Sequence, residues 1–125
     1  MGPAMKLPFT AGAIALAALL ASACSDGPPP REELAAARAS IDSAMVSGAI
    51  ADAPLELRSA QEKLDRAYAA TASKDYDIAR RYAREAEADA RLAMVKEQSA
   101  KSQRAAQQVN DSVRALTEEI DRQSK

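Results

Sequence analysis

Residues 54–86 read PLELRSAQEKLDRAYAATASKDYDIARRYAREA, and the spacing of their apolar residues sets the fold class. Leu57, Ala60, Leu64, Ala67 and Thr71 follow one another by three and four residues, the period of one face of an α-helix. Pro54 suits the first position of that helix, with Asp52 or Ala53 as its cap. The pattern breaks at Ser73-Lys74-Asp75, where Asp75 is a good N-cap for a helix beginning at Tyr76. Ala79, Ala83 and Ala86 then continue at helical spacing. Two amphipathic helices joined by so short a break fold back on each other. The predicted core of this hairpin is Leu57, Leu64, Tyr68, Ala79, Tyr82, Ala83 and Ala86.

Working outward, helix formers dominate on both sides. Upstream, Leu34, Ala37, Ile41, Ala44 and Met45 predict a helix over 31–46 that stops at Ser47-Gly48, with Glu32 and Glu33 at the positive end of its dipole. Downstream, neither Pro nor Gly occurs from Tyr76 to Lys125, so the second helix of the hairpin continues about 75 Å as one rod. Its first part carries the alanine stripe through Ala90 and Ala93. Its second part carries Leu92, Val95, Ser99, Ala106, Val109, Val113, Leu116 and Ile120, offset by one residue, which predicts that the buried face changes near Leu92. Pairs such as Asp77 with Arg81, Glu87 with Arg91 and Glu118 with Arg122 mark a solvated face, each worth about 0.3–0.5 kcal/mol. The expected class is all-α: a helical-hairpin domain over 31–95 within a three-helix array, then an extended amphipathic helix over 96–125.

The first residues have a different character. Lys6 precedes an apolar run from Ala11 to Leu20, and small residues lead to Cys24, the sole cysteine. A charged start, a short apolar core and small residues before a cut site describe a secretory signal, here 1–23. The run is shorter than the roughly 20 apolar residues that a permanent membrane span needs. With cysteine directly after the small residues, the pattern resembles the lipobox of bacterial lipoproteins, although Ala21 stands where Leu20 would be commoner. The resemblance implies cleavage before Cys24 and acylation of its thiol and new amine, so the membrane is the first expected partner. Residues 24–30 then form a proline-rich tether, extended at about 3.1 Å per residue. Ser25 follows the cysteine and Asp26 comes one position later, which by resemblance to enterobacterial sorting favours the periplasmic face of the outer membrane, the inner membrane being the alternative.

At Ala53-Pro54-Leu55-Glu56-Leu57, Ala60, Lys63-Leu64 and Ala67, then Lys74-Asp75-Tyr76-Asp77 with Ala79-Arg80, the chain resembles the lipoprotein family catalogued as domain of unknown function 4398. The resemblance covers about Glu32 to Val95 and implies a lipobox, a linker and an alanine-rich helical hairpin. One departure is visible: Lys74 replaces the usual turn glycine, and a positive φ there would strain it by up to about 1 kcal/mol. Leu64 through Ala90 also looks like a single tetratricopeptide unit, with Ala67-Tyr68 in one helix and Tyr76, Ala79 and Tyr82 in the next.

The inventory of reactive residues disfavours an enzyme. The chain contains no His, which removes Ser-His-Asp arrangements and His-based metal sites. Glu32-Glu33 and Glu118-Glu119 point about 100° apart on a helix and do not converge as acid–base pairs. The net charge of −1 is spread along the chain, without the basic stripe that nucleic acid requires. Arg80, Arg81 and Arg84 are read as pairing with Asp77, Glu85 and Glu87 rather than as an anion site. No catalytic residue, cofactor or metal is expected. Val109, Val113, Leu116 and Ile120 are the candidate partner-binding residues, facing an envelope protein, a second copy or the membrane surface, or belonging to a frayed tail. Peptidoglycan is a further possible partner of the chain. The functional expectation is a lipid-anchored structural or docking module of the cell envelope. The alternative is a Braun-type lipoprotein joined to murein through Lys125.

Overall fold

The structure is a computed structural model that describes Gly2 and residues 27–125. Cys24, the rest of the signal and the start of the tether through Asp26 lie outside the described residues. Four helices follow in order: α1 (Arg31–Ser47), α2 (Ala49–Asp52), α3 (Pro54–Ala72) and α4 (Tyr76–Gln123). The expected all-helical class holds among the described residues. α2 is a single turn that the sequence reading passed over, because four residues show no periodicity.

Each boundary has a local cause. Gly48 ends α1 at φ 102°, a left-handed conformation that glycine adopts without strain, and its amide bonds back to the Ala44 carbonyl. Pro54 opens α3 from the cap residue Ala53. Lys74 carries the α3–α4 turn at φ 65°, so the glycine-to-lysine departure does place a side chain in the left-handed region. Asp75 occupies the cap position of α4, but its side chain makes no capping hydrogen bond.

α4 is the axis of the fold. It packs mainly against α3 and α1, which contact each other much less. Ion pairs fix the directions: Glu33 of α1 meets Arg80 and Arg84 near the start of α4, whereas Glu56 of α3 meets Lys96 and Lys63 meets Asp89. α1 is therefore parallel to α4, and α3 antiparallel to it. The core joins Leu34, Ala37, Ile41 and Ala44 to Leu57, Ala60, Leu64 and Ala67, against Ala83, Ala86, Ala90 and Ala93 of α4. Ala79 is buried as well. Alanine lets the helices approach closely, and the few branched side chains fill what remains.

Two tyrosines depart from the expected core. Tyr68 is 44% exposed, since Ala67 takes the inward position one residue earlier. Tyr82 is half-buried at the edge of the core, its ring flanked by Arg81 at 5.1 Å and Arg66 at 5.9 Å. Met45 is likewise half out of the core, and Thr71 is only partly buried.

The tether does not stand wholly free. Pro30 is fully buried, and the Pro28 carbonyl accepts a hydrogen bond from Arg80 at 3.1 Å. The chain therefore enters the bundle at the end where α4 begins.

Candidate docking surface

The buried stripe of α4 runs Ala79, Ala83, Ala86, Ala90, Ala93 and Glu97 without changing face. The expected switch near Leu92 does not occur: Leu92 is 48% exposed and Val95 65%. The reason is angular. At 100° per residue, the Leu92–Val95 line is centred about 150° from the Ala93–Glu97 line. The second apolar stripe thus lies almost opposite the first. It faces outward from its start and never exchanges places with the packing face.

Beyond Ala100, every residue is exposed. Val109, Val113, Leu116 and Ile120 lie at 57–66% exposure along one line of the projecting rod. The structure aligns these four candidate residues on a common face, and among the described residues nothing packs on them.

A charged clamp holds the root of this rod. Arg104 binds the Asp52 carboxylate with two hydrogen bonds, at 2.7 and 3.0 Å. Lys101 donates to the Ser47 carbonyl at 3.2 Å, and its ammonium also sits against Glu97 as an ion pair without hydrogen-bond alignment. Glu97 is 3% exposed. Lys96 pairs with Glu56. The hydrogen bond from Arg104 holds the Asp52 carboxyl below its ordinary range, and Lys96 does the same for Glu56, aided by the Glu56 amide. The hydrogen bond to Asp52, with the charges of Asp52 and Glu97, in turn raises Arg104. The clamp ties α4 to the corner where α1, α2 and α3 meet. Buried positions of α4 accordingly extend to Glu97, and ion-paired contacts reach Arg104. The sequence contained a signal for this, because Glu97 continues the three-four spacing of Ala90 and Ala93.

Elsewhere, burial raises Asp89, yet hydrogen bonds from Lys63 and Ser59 outweigh it and leave the carboxyl below its usual range. The arginine cluster is paired, with Asp77 as expected but with Glu33 in place of Glu85 and Glu87. Arg80 bonds Asp77 and Glu33, Arg84 reaches Glu33, and Arg81 lies over Tyr82. Glu87 does pair with Arg91, whereas Arg122 takes Glu119 rather than Glu118. A shallow groove between α1 and α3 is lined by Ile41, Met45, Leu64 and Tyr68, with Arg38 and Asp65 at its rim. No group of three or more His, Cys, Asp or Glu able to hold a metal occurs among the described residues.

The hairpin, its turn and the first two-thirds of α4 coincide with a family match over residues 32–109. The chain belongs to the family described as Domain of unknown function (DUF4398). No curated protein and no solved structure matches the chain. In structural terms, the DUF4398 match takes in the bundle, the clamp and the exposed Val109; Val113, Leu116 and Ile120 follow it. No helix among the described residues is long and apolar enough to cross a membrane.

Proposed function

We propose that this chain is a non-enzymatic, lipid-anchored helical protein of the bacterial cell envelope, acting as a structural or docking module. Cys24 carries the anchor, at the periplasmic face of the outer membrane. The observation behind this reading is the position of the two ends. The chain enters at Pro28 beside Arg80, and α4 runs from there to Gln123, about 65 Å at 1.5 Å per residue. An anchor just upstream of Pro28 would hold the bundle near the bilayer and aim the apolar face of the rod away from it. The clamp at Arg104 fixes that direction.

The anchor has a direct test. Stable attachment requires more than one acyl chain or a second membrane signal, and a processed amino-terminal cysteine can carry both acyl chains. Metabolic labelling with a fatty-acid analogue should mark the wild-type chain, and Cys24→Ser should remove the label and release the chain from the membrane fraction or leave it unprocessed. An unlabelled wild-type chain overturns the anchored reading.

A further inference from the structure

We propose that the outward face of α4 pairs with a second copy of this chain, as a parallel two-stranded coiled coil from Leu92 to Ile120. This rests on the docking reading above and names its occupant.

The first support is register. Leu92, Ser99, Ala106, Val113 and Ile120 recur every seven residues, and Val95, Ser102, Val109 and Leu116 sit three after them. These are the a and d positions of about four heptads, enough to sustain a coiled coil. The stripe is also narrow. A helix that docks into a broad core has apolar residues at e or g as well, whereas an a/d-only line is a coiled-coil seam.

Charge supplies the second support. The positions flanking the seam beyond the hairpin are mostly uncharged: Gln103, Asn110, Ser112 and Thr117, with Glu119 the exception. The cations Lys101, Arg104, Arg114 and Arg122 lie towards the back. A helix lying on a bilayer would place Lys and Arg beside its apolar edge to meet lipid headgroups. Beyond Lys96 the flanks suit close approach of an identical helix, since in a parallel pair no like charges oppose one another across g and e there. At the hairpin end Arg91 faces Lys96 of the other copy, each held by a carboxylate of its own chain, Glu87 and Glu56.

The third support is composition at the seam. In the last two heptads, β-branched Val113 and Ile120 occupy a, with Leu116 at d, the combination that favours two parallel strands. In-register pairing sets the small residues Ser99, Ser102 and Ala106 against their own counterparts. Ser102 already donates to the Gln98 carbonyl at 3.0 Å, so burial leaves its hydroxyl bonded. The hairpins do not obstruct the seam, because they cover the opposite side of α4. Two copies rooted in one membrane also point the same way, as a parallel pair demands.

A disulfide reports this geometry, because it forms only where the two Cα atoms come within about 7 Å. The full-length chain carrying Leu116→Cys should run mostly at twice the monomer mass on a non-reducing gel after mild oxidation in cells. Glu118→Cys, on the outer side of the same turn, should yield several-fold less, as should the chain with Cys24 alone. Adding Val113→Asp to Leu116→Cys should abolish the dimer while circular dichroism shows the helix content retained. A monomeric Leu116→Cys chain, or equal crosslinking from Leu116→Cys and Glu118→Cys, overturns the pairing. An adduct of some other mass also overturns it while leaving the docking reading intact. Failure of the anchored reading shows instead as loss of the chain from the membrane fraction.

Discussion

Leu64→Ala should destabilise the helical unit by about 2–5 kcal/mol, the range for removing a leucine from a core that relaxes only partly. Leu64 is 6% exposed, and it is one of few large side chains in a core built mostly from alanine. Alanine neighbours have no χ rotamers with which to refill the space, so much of the cavity persists. In a domain of this size each kcal/mol moves the melting temperature by about 4–8 °C. The expected result is a fall of about 8 °C or more in a thermal melt followed by circular dichroism at 222 nm. A melt that coincides with wild type would remove Leu64 from the core.

Ala86→Leu should be damaging for the opposite reason. Ala86 has no exposed surface on the inward stripe of α4, and the pairs of Lys63 with Glu85 and Asp89 bring the buried Leu64 of α3 to its level. Three added heavy atoms have no volume to enter, so the helices must separate and lose contact along the seam. Overpacking of this kind costs about 1–3 kcal/mol, occasionally more. Ala88→Leu, on the exposed side of the same turn, is the matched control and should lie within about 0.5 kcal/mol of wild type. Chemical denaturation measures both. Equal midpoints for the two variants would contradict close helix packing at Ala86.

The contrast between these sites explains what the sequence disclosed. Helical period and breakers were explicit: Gly48, Pro54 and Ser73-Lys74-Asp75 stand where α1, α3 and α4 end or begin. The alanine stripes were equally plain, because three-four spacing is local. Less legible was anything that depends on where helices sit in space. Tyr68 belongs to the α3 face by spacing, yet the line of approach of α4 selects Ala67 and leaves the ring in the α1–α3 groove. Glu33 takes Arg80 and Arg84, because α1 lies parallel to α4, a relation that no local spacing encodes. The Asp52–Arg104 pair spans separate helices in the same way. Both stripes of α4 were visible, but their separation of about 150° emerges only when residues are placed on the helix at 100° apiece.

The central claim is that the outward face of the clamped rod meets a partner in the envelope. A photoreactive amino acid placed at Val109 of the full-length chain, in cells, tests it most directly, with Asp111 on the far side of the same helix as the comparison. Covalent adducts several-fold more abundant from Val109 than from Asp111 are the result expected. Absence of adducts from both positions, or equal yields from the two, would contradict a docking role for this face.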